Sequence, residues 1–244
     1  MKPTWFISDL HLAPDLPSVT TGLLSLLKQL QGNAEALYVL GDLFEAWVGD
    51  DNLCDYNRQI TEAFATLSAH GTALYFVHGN RDFLIGEEFV RSCRGFLLPE
   101  RQVIDCYGIP VLIEHGDALC TRDEKFMAFR EQSRSAPWQQ AMLAKPLAER
   151  LQIAEQWRAQ SKQMNSNKPE NIMDVTPDAV KSVMADHRVK TLLHGHTHRP
   201  AVHQFLLDDT PASRLVLGDW REDEGIAMIA IADKQGMRLM EWRF

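Results

Sequence analysis

Short apolar runs recur along the chain, and most are followed by a stretch with helical spacing. Trp5-Phe6-Ile7, Leu37-Tyr38-Val39-Leu40, Ala73-Leu74-Tyr75-Phe76-Val77, Val111-Leu112-Ile113 and Thr191-Leu192-Leu193 are short and rich in β-branched and aromatic residues. With glycines at their boundaries, they read as buried strands. Residues 19–30 carry Leu23, Leu26, Leu27 and Leu30 on one stripe, and residues 58–67 have the same helical period. Alternation of this kind predicts an α/β fold with much parallel pairing. Towards the C-terminus, residues 214–217, 226–231 and 237–242 read as strands separated by short polar turns such as Asp233-Lys234-Gln235-Gly236. These predict antiparallel hairpins closing a second sheet.

Residues 122–174 break the rhythm. They show no strand pattern, only helical stretches interrupted by Pro137, Pro146 and Pro169. From 122 to 168 there are nine Lys or Arg against five Asp or Glu, a balance of +4 that leaves −12 for the rest of a chain whose formal charge is −8. The segment reads as a helical cap inserted into a single domain that spans 1–244.

Composition narrows the class. The chain is 45% hydrophobic and 24% charged, which is ordinary for a globular protein of 244 residues. Its acidity argues against nucleic acid as a partner, because that role calls for a basic surface. No apolar stretch approaches the roughly 20 residues of a membrane-spanning helix. The first residues, Met1-Lys2-Pro3-Thr4-Trp5-Phe6-Ile7, lack the pattern of a signal peptide. Cys54, Cys93, Cys106 and Cys120 show no paired spacing. Reduced thiols and a cytoplasmic location are the expectation.

Polar residues that bind metals fall at the ends of the apolar runs. Asp9 and His11 follow the first run, Gly41-Asp42 the second, Gly79-Asn80 the third, His115-Gly116 the fourth and Gly195-His196-Thr197-His198 the fifth. Ligands collect at the carboxyl ends of strands in open α/β sheets. The steps from Asp9 to Asp42, Asn80 and His115 are 33, 38 and 35 residues, each about one strand–helix–strand unit. The further 81 residues to His196 leave room for another unit plus the insertion. Spacing therefore predicts that all seven groups converge. Two divalent ions about 3.5–4 Å apart need a bridging carboxylate, for which Asp42 is the candidate. Asp9, His11 and His198 can complete one ion, and Asn80, His115 and His196 the other. An oxygen and imidazole set without thiolate suits Mn²⁺, Fe or Zn²⁺ and leans towards Mn²⁺.

Other polar residues read more plainly. His70, His187 and His203 are expected at the surface, and His78 and His194 as buttresses of the site. Asp50, Asp51, Asp117 and Asp219 are expected as turn residues. Asp82 is a candidate partner for a ligand.

The motifs Asp9-Leu10-His11, Gly41-Asp42-Leu43-Phe44-Glu45, Gly79-Asn80-Arg81-Asp82, His115-Gly116-Asp117 and Gly195-His196-Thr197-His198 resemble those of the calcineurin-like metallophosphoesterase superfamily. The resemblance implies a four-layer α/β/β/α sandwich and hydrolysis of a phosphoester or pyrophosphate by metal-activated water. One position departs from the superfamily pattern. Arg81 stands where a histidine would serve as general acid. A guanidinium is a poor proton donor near neutrality but a strong bidentate phosphate clamp. A missing acid matters least when the leaving group is a weakly basic phosphate, so Arg81 favours P–O–P cleavage over an alkyl phosphodiester.

Longer strings narrow the resemblance. Leu40-Gly41-Asp42-Leu43-Phe44-Glu45-Ala46-Trp47-Val48-Gly49-Asp50-Asp51, His78-Gly79-Asn80-Arg81-Asp82-Phe83-Leu84 and His194-Gly195-His196-Thr197-His198-Arg199-Pro200 are similar to the UDP-2,3-diacylglucosamine diphosphatase family of lipid A biosynthesis. The similarity runs through the insertion and Ile172-Met173-Asp174-Val175. It implies two Mn²⁺ per chain and water attack on the α-phosphorus, giving UMP and 2,3-diacylglucosamine 1-phosphate. The catalytic positions would be Asp42, Asn80, Arg81 and His196. The substrate contacts would be Asn80, Arg81, Asp123, Ser161, Asn165, Lys168 and His196, with Arg158 in an accessory basic role. The substrate would be a nucleotide sugar carrying lipid, taken by a protein held peripherally on the anionic cytoplasmic face of the bacterial inner membrane. No protein partner is evident.

Two readings of the insertion stand beside this. Arg158, Ser161, Asn165 and Lys168 are spaced 3, 4 and 3, which puts them on one face of a continuous helix, although Pro169 disfavours helix at Lys168. Trp138, Met142, Leu143, Leu147, Leu151 and Trp157 either pack the cap onto the body or line a groove for acyl chains. A broader phosphoesterase acting on soluble nucleotides or phosphoproteins is the alternative enzyme. A non-catalytic scaffold is disfavoured because no ligand is missing.

Overall fold

The computed structural model describes residues 1–165, 172 and 174–244. Along the first strand, β1 (Thr4–Ile7), Trp5 and Ile7 face one core and Phe6 faces another. Successive side chains of a strand point to opposite faces, so a strand that is apolar throughout must be covered on both. β1 pairs in parallel with β2 (Ala36–Leu40), and β2 with β3 (Ala73–Val77). Crossovers between them are α1 (Pro17–Leu30) and α2 (Asp55–Ala69). Their stripes, Leu23, Leu26, Leu27 and Leu30 on one and Ile60, Phe64 and Leu67 on the other, join Ile7, Leu37 and Val39 in one core. α3 (Glu87–Ser92) adds Phe89 and Val90 to that core before the two-residue β4 (Phe96–Leu97) ends the sheet.

The chain then crosses to a second sheet. β5 (Arg101–Cys106) and β6 (Ile109–Glu114) form an antiparallel hairpin, and β6 runs parallel to β7 (Thr191–His194). Between those two come α4 (Glu124–Arg134), α5 (Ala136–Leu143), α6 (Leu147–Asn165) and α7 (Pro177–Asp186). Pro137 lies in the first turn of α5, where a missing N–H costs nothing. β8 (Ala201–Leu207) and β9 (Thr210–Val216) complete the order β5-β6-β7-β9-β8. β10 (Trp220–Arg221), β11 (Ile226–Asp233) and β12 (Gly236–Arg243) return to the first sheet, with Ala230 of β11 opposite Phe6 of β1.

Core membership defines the layers. Phe6, Leu40 and Val77 of the first sheet meet Val111, Ile113, Leu193 and Leu215 of the second. Leu112 and Leu192 point the other way, onto Val180, Val183 and Met184 of α7. Helices, seven strands, five strands and a helix are therefore stacked in the α/β/β/α order that the resemblance implies.

Two expectations are corrected. The 35 residues from Asn80 to His115 are not one parallel unit, because they carry the chain from one sheet to the other through the antiparallel β5. The C-terminal strands do not all close a second sheet; β9 belongs there, whereas β11 and β12 extend the first. β5 and β8 escaped notice because edge strands are covered on one face at most. Half-buried Arg101 and Gln102 in β5, and exposed His203 and Gln204 in β8, break any apolar run.

Candidate metal centre and substrate cavity

β1, β2 and β3 of one sheet and β6 and β7 of the other all end at the same rim of the sandwich. Each is followed within four residues by a candidate ligand. Getting those side chains into one site bends the backbone hard. Asp9, His11, Asp42, His196 and His198 have φ of 56°, 49°, 51°, 68° and 54°, the left-handed region that residues with a Cβ rarely adopt. Each such conformation costs on the order of 1 kcal/mol, and strain of this kind clusters at functional sites. Neighbouring loops hold it in place: the amides of Asp9, His11 and Leu12 donate to the carbonyls of Gly41, Asp42 and Leu43 at 3.1, 3.0 and 2.9 Å.

Both carboxylates are held by one oxygen and offer the other. Oδ2 of Asp9 accepts from Ser8 Oγ (2.6 Å) and from the His196 amide (2.9 Å). Oδ1 of Asp9 is buried with no hydrogen-bond partner, and His198 Nε2 lies 3.4 Å away. Oδ1 of Asp42 accepts from the Arg81 amide (2.8 Å), while Oδ2 lies 3.9 Å from His11 Nε2 and 3.7 Å from His115 Nε2.

The imidazoles follow the same plan. Nδ1 of His115 donates to the Leu40 carbonyl (2.8 Å), so in the neutral ring Nε2 carries a lone pair, and that lone pair faces Asn80 Oδ1 at 3.0 Å. Nδ1 of His11 is 3.0 Å from a Glu45 oxygen, and Nδ1 of His198 is 3.5 Å from Asp219. Nε2 of His11 and Nε2 of His198 point at each other across 3.3 Å. With both rings neutral and protonated at Nδ1, lone pair would face lone pair, which is unfavourable until a proton or a metal ion lies between, and an imidazole fixed through its other nitrogen is the usual form of a metal ligand. The residues fit a divalent ion. Two groups have ligand atoms mutually within 4.8 Å, Asp9 with His11 and His198, and Asp9 with Asp42 and His115. His196 is brought alongside, its ring 5.0 Å from that of His115.

Charge follows burial and neighbours. Burial opposes a charge on His198, yet the carboxylates of Asp219 and Asp9 beside it push its pKa up to about 10. Burial and the adjacent His115 push His196 down to about 3. Burial would raise Asp9, but the surrounding imidazoles hold its carboxyl well below the usual range.

Several residues have roles that the sequence did not show. Asp82, buried, accepts from the amides of Gly79 (2.8 Å), Leu43 (2.7 Å) and Asp42 (3.3 Å), tying two ligand loops together. Asp50, Asp51, Asp117 and Asp219 are not simple turn residues. Asp50 accepts from Trp47 Nε1 (2.9 Å) and from two amides at the start of α3, Gly86 at 2.9 Å and Phe89 at 3.0 Å. Asp51 pairs with Arg150, Asp117 with Arg130, and Asp219 with His198. Glu45 spans His11 and Arg81. Its acid after an apolar residue in Leu43-Phe44-Glu45 was visible, but nothing in the spacing said where it pointed. His78 and His194 lie off the cluster and bond the carbonyls of Ile85 and Gly195. His70, His187 and His203 are exposed.

A cavity of about 410 Å³ opens from the cluster. Its lining joins the polar His11, Asp42, Asn80, Arg81, His196 and His198 to the apolar Phe83, Leu84, Phe126, Phe129, Met142 and Trp157. Asp123, which caps α4 by accepting from the Phe126 amide, lines it too, as do Arg158 and Ser161 on α6. Asn165 ends α6, with its side chain outside the described part, and Lys168 lies outside the described residues. The apolar wall differs from expectation. Of the six cap residues, Met142 and Trp157 reach the cavity and Trp138 stacks behind Trp157 (5.5 Å), while Leu147 stays off it and Leu143 and Leu151 face solvent.

Residues 2–200 match the model of the calcineurin-like phosphoesterase family. The chain is 48% identical over 241 residues to a UDP-2,3-diacylglucosamine hydrolase of Chromohalobacter salexigens, covering 99% of this chain and 98% of that one. It belongs to the calcineurin-like phosphoesterases. Its place among them is with the UDP-2,3-diacylglucosamine hydrolases, since proteins so named from Cellvibrio japonicus and Escherichia coli are 46% and 48% identical over 98% and 94% of this chain. They are covered over 98% and 96% of their own lengths. A solved archaeal phosphodiesterase shares the calcineurin-like phosphoesterase fold at 13% identity, with a TM-score of 0.51 over 98% of this chain and 99% of its own. Metal binding by this family agrees with the two ligand groups found here.

Proposed function

We propose that the chain hydrolyses the pyrophosphate bond of UDP-2,3-diacylglucosamine, giving UMP and 2,3-diacylglucosamine 1-phosphate. The observation that carries the reading is the cavity, in which a polar ligand cluster with Arg81 at its edge continues into an aromatic wall under the cap. The relatives' names support the same substrate. Divalent ions held by Asp9, His11, Asp42, Asn80, His115, His196 and His198 would activate water and polarise phosphoryl oxygens. The thiolate-free set favours two Mn²⁺ with Asp42 between them.

The chain's own residues do the rest. Arg81 is held by its amide on Asp42 and has its guanidinium 3.9 Å from Glu45, so it stays at the edge of the cluster, able to clamp the diphosphate. Asn80 and His196 face the same phosphate. Water adds to the α-phosphorus, the bond to the bridging oxygen breaks, and that oxygen leaves with the sugar phosphate. Because the departing phosphate is weakly basic, no side chain has to protonate it. Asp123, Arg158 and Ser161, with Asn165 and Lys168 beyond them, would read the sugar and phosphates. Phe83, Phe126, Phe129 and Trp157 would receive acyl chains. Among the described residues no helix is long and apolar enough to cross a membrane. Exposed Leu143 and Leu151 on the basic cap support peripheral contact with an anionic cytoplasmic membrane face.

The test is UMP release from UDP-2,3-diacylglucosamine by the Mn²⁺-loaded protein. Stoichiometric UMP is expected, with Asp42→Ala and His115→Ala inactive. Faster hydrolysis of an alkyl phosphodiester, or unchanged rates in both variants, would overturn the reading.

A further inference from the structure

The two groups of ligands are braced by different parts of the chain. Asp9, His11 and His198 take their side-chain supports from the body, Ser8 on Asp9, Glu45 on His11 and Asp219 on His198, and Asp9 also accepts from the His196 amide. The loops carrying Asn80, His115 and His196 all meet one helix of the cap, α4. Nη2 of Arg134 donates to the carbonyl of Gly79 (2.9 Å), the residue before Asn80. Nε of Arg130 donates to Asp117 (2.8 Å), two residues after His115, and Arg134 Nη2 lies 3.5 Å from the same carboxylate oxygen. The ring of Phe126 stacks on that of His196, with centroids 5.9 Å apart and planes 25° from parallel.

These contacts are built to hold position. Asp117 is fully buried, so its two arginines are its counter-charges and cannot be exchanged cheaply for water. Arg130 is anchored again by Glu100, and Arg134 lies over the Phe83 ring at 5.2 Å. Neither arginine lines the main cavity. Both lie against the loops that carry Asn80 and His115.

We infer that α4 is a structural part of one metal subsite, with Arg130, Arg134 and Asp117 acting as positioning residues for Asn80, His115 and His196, and that the side chains of the other subsite are not braced by α4. The inference rests on the two-ion reading above. It assigns the cap a second task besides forming the cavity wall: loosening α4 releases one ion of the pair and leaves the other.

Metal content separates the alternatives without any substrate. The Mn²⁺-loaded full chain and its Arg134→Met, Arg130→Met and Asp219→Asn variants are passed through gel filtration and assayed for bound metal, and Mn²⁺ affinities are measured by calorimetry. The unsubstituted chain is expected to hold two ions. Losing an outer partner of a ligand typically weakens metal binding about 10–100-fold. Arg134→Met and Arg130→Met should therefore show one ion at unchanged affinity and one weakened by at least about tenfold, with partial recovery in Arg134→Lys. Asp219→Asn should weaken the ion that the arginine variants keep, so that Asp219→Asn combined with Arg134→Met weakens both. Two ions kept at unchanged affinity in the arginine variants, or equal weakening of both by Arg134→Met alone, overturns the inference. Fewer than two ions on the unsubstituted chain would instead overturn the two-ion reading on which it stands.

Discussion

Residues at the rim of the sandwich trade local stability for position. Five candidate ligands sit in left-handed conformations, and hydrogen bonds between neighbouring loops keep them there. Asp82 is the clearest case, since its buried carboxylate satisfies three amides from two loops. Replacing it with alanine leaves those amides unpaired, at a cost of about 3 kcal/mol. For a chain of this size that is a fall in Tm of roughly 6–12 °C. The Asp82→Ala protein should also bind Mn²⁺ at least about tenfold more weakly, because Asp42 and Asn80 lose their common anchor. A melting curve and a metal titration check both, and an unchanged affinity would reduce Asp82 to a purely structural role. Gly79 belongs to the same argument, since a Cβ there would overlap the Asp42 carboxylate and amide.

Elements of the cap divide their work. α4 is bonded to ligand loops, whereas α6 is fastened elsewhere. The buried Arg150 near its start donates to the carbonyls of Val48 and Lys145 and pairs with both oxygens of Asp51. That clasp fixes α6 against the loop that follows Asp42, and α6 carries Trp157, Arg158 and Ser161 to the cavity. Arg150→Met should therefore raise KM for the lipid substrate about tenfold while kcat falls less, and steady-state kinetics separates the two. Equal losses would mean that the clasp positions the reacting groups as well. Trp157, stacked on Trp138 and facing the cavity, is the better probe of lipid binding than Leu147, which does not line it. Trp157→Asp should lower kcat/KM on the diacylated substrate at least tenfold more than on its deacylated counterpart, as expected from the roughly 2–3 kcal/mol of an apolar contact replaced by a charge. The same loss on both substrates would remove α6 from the acyl site.

At the scale of the whole molecule, the site places two buried carboxylates where the two sheets meet. Asp9 and Asp42 are buried carboxylates whose inward oxygens face only imidazoles. Chelation should lower Tm, and returning Mn²⁺ at about a hundredfold over Kd should restore about 2.7 kcal/mol per site through binding to the folded state alone. Calorimetry with and without chelator tests this, and a Tm indifferent to metal would exclude a buried ion. The sequence by itself marked out the candidate ligands and the strands that carry them. These buried strands are apolar over most of their length, and a metal-ligating polar group just after one has few tasks other than chemistry, so Asp9, Asp42, Asn80, His115 and His196 stood out without any knowledge of their partners. Arg81 was equally legible, because a guanidinium cannot give up its proton in any fold. What only the tertiary structure decided was everything resting on contact between distant segments. The 35 residues from Asn80 to His115 looked like one more parallel unit and instead cross to another sheet, since strand pairing is not written in a single strand. Asp50, Asp51 and Asp117 looked like turn residues, because a carboxylate in a loop shows its neighbours in sequence but not the amides and arginines folded against it. The seven ligands were a local property of strand ends; their geometry, and the helix that braces one group of them, belongs to the packing of the whole chain.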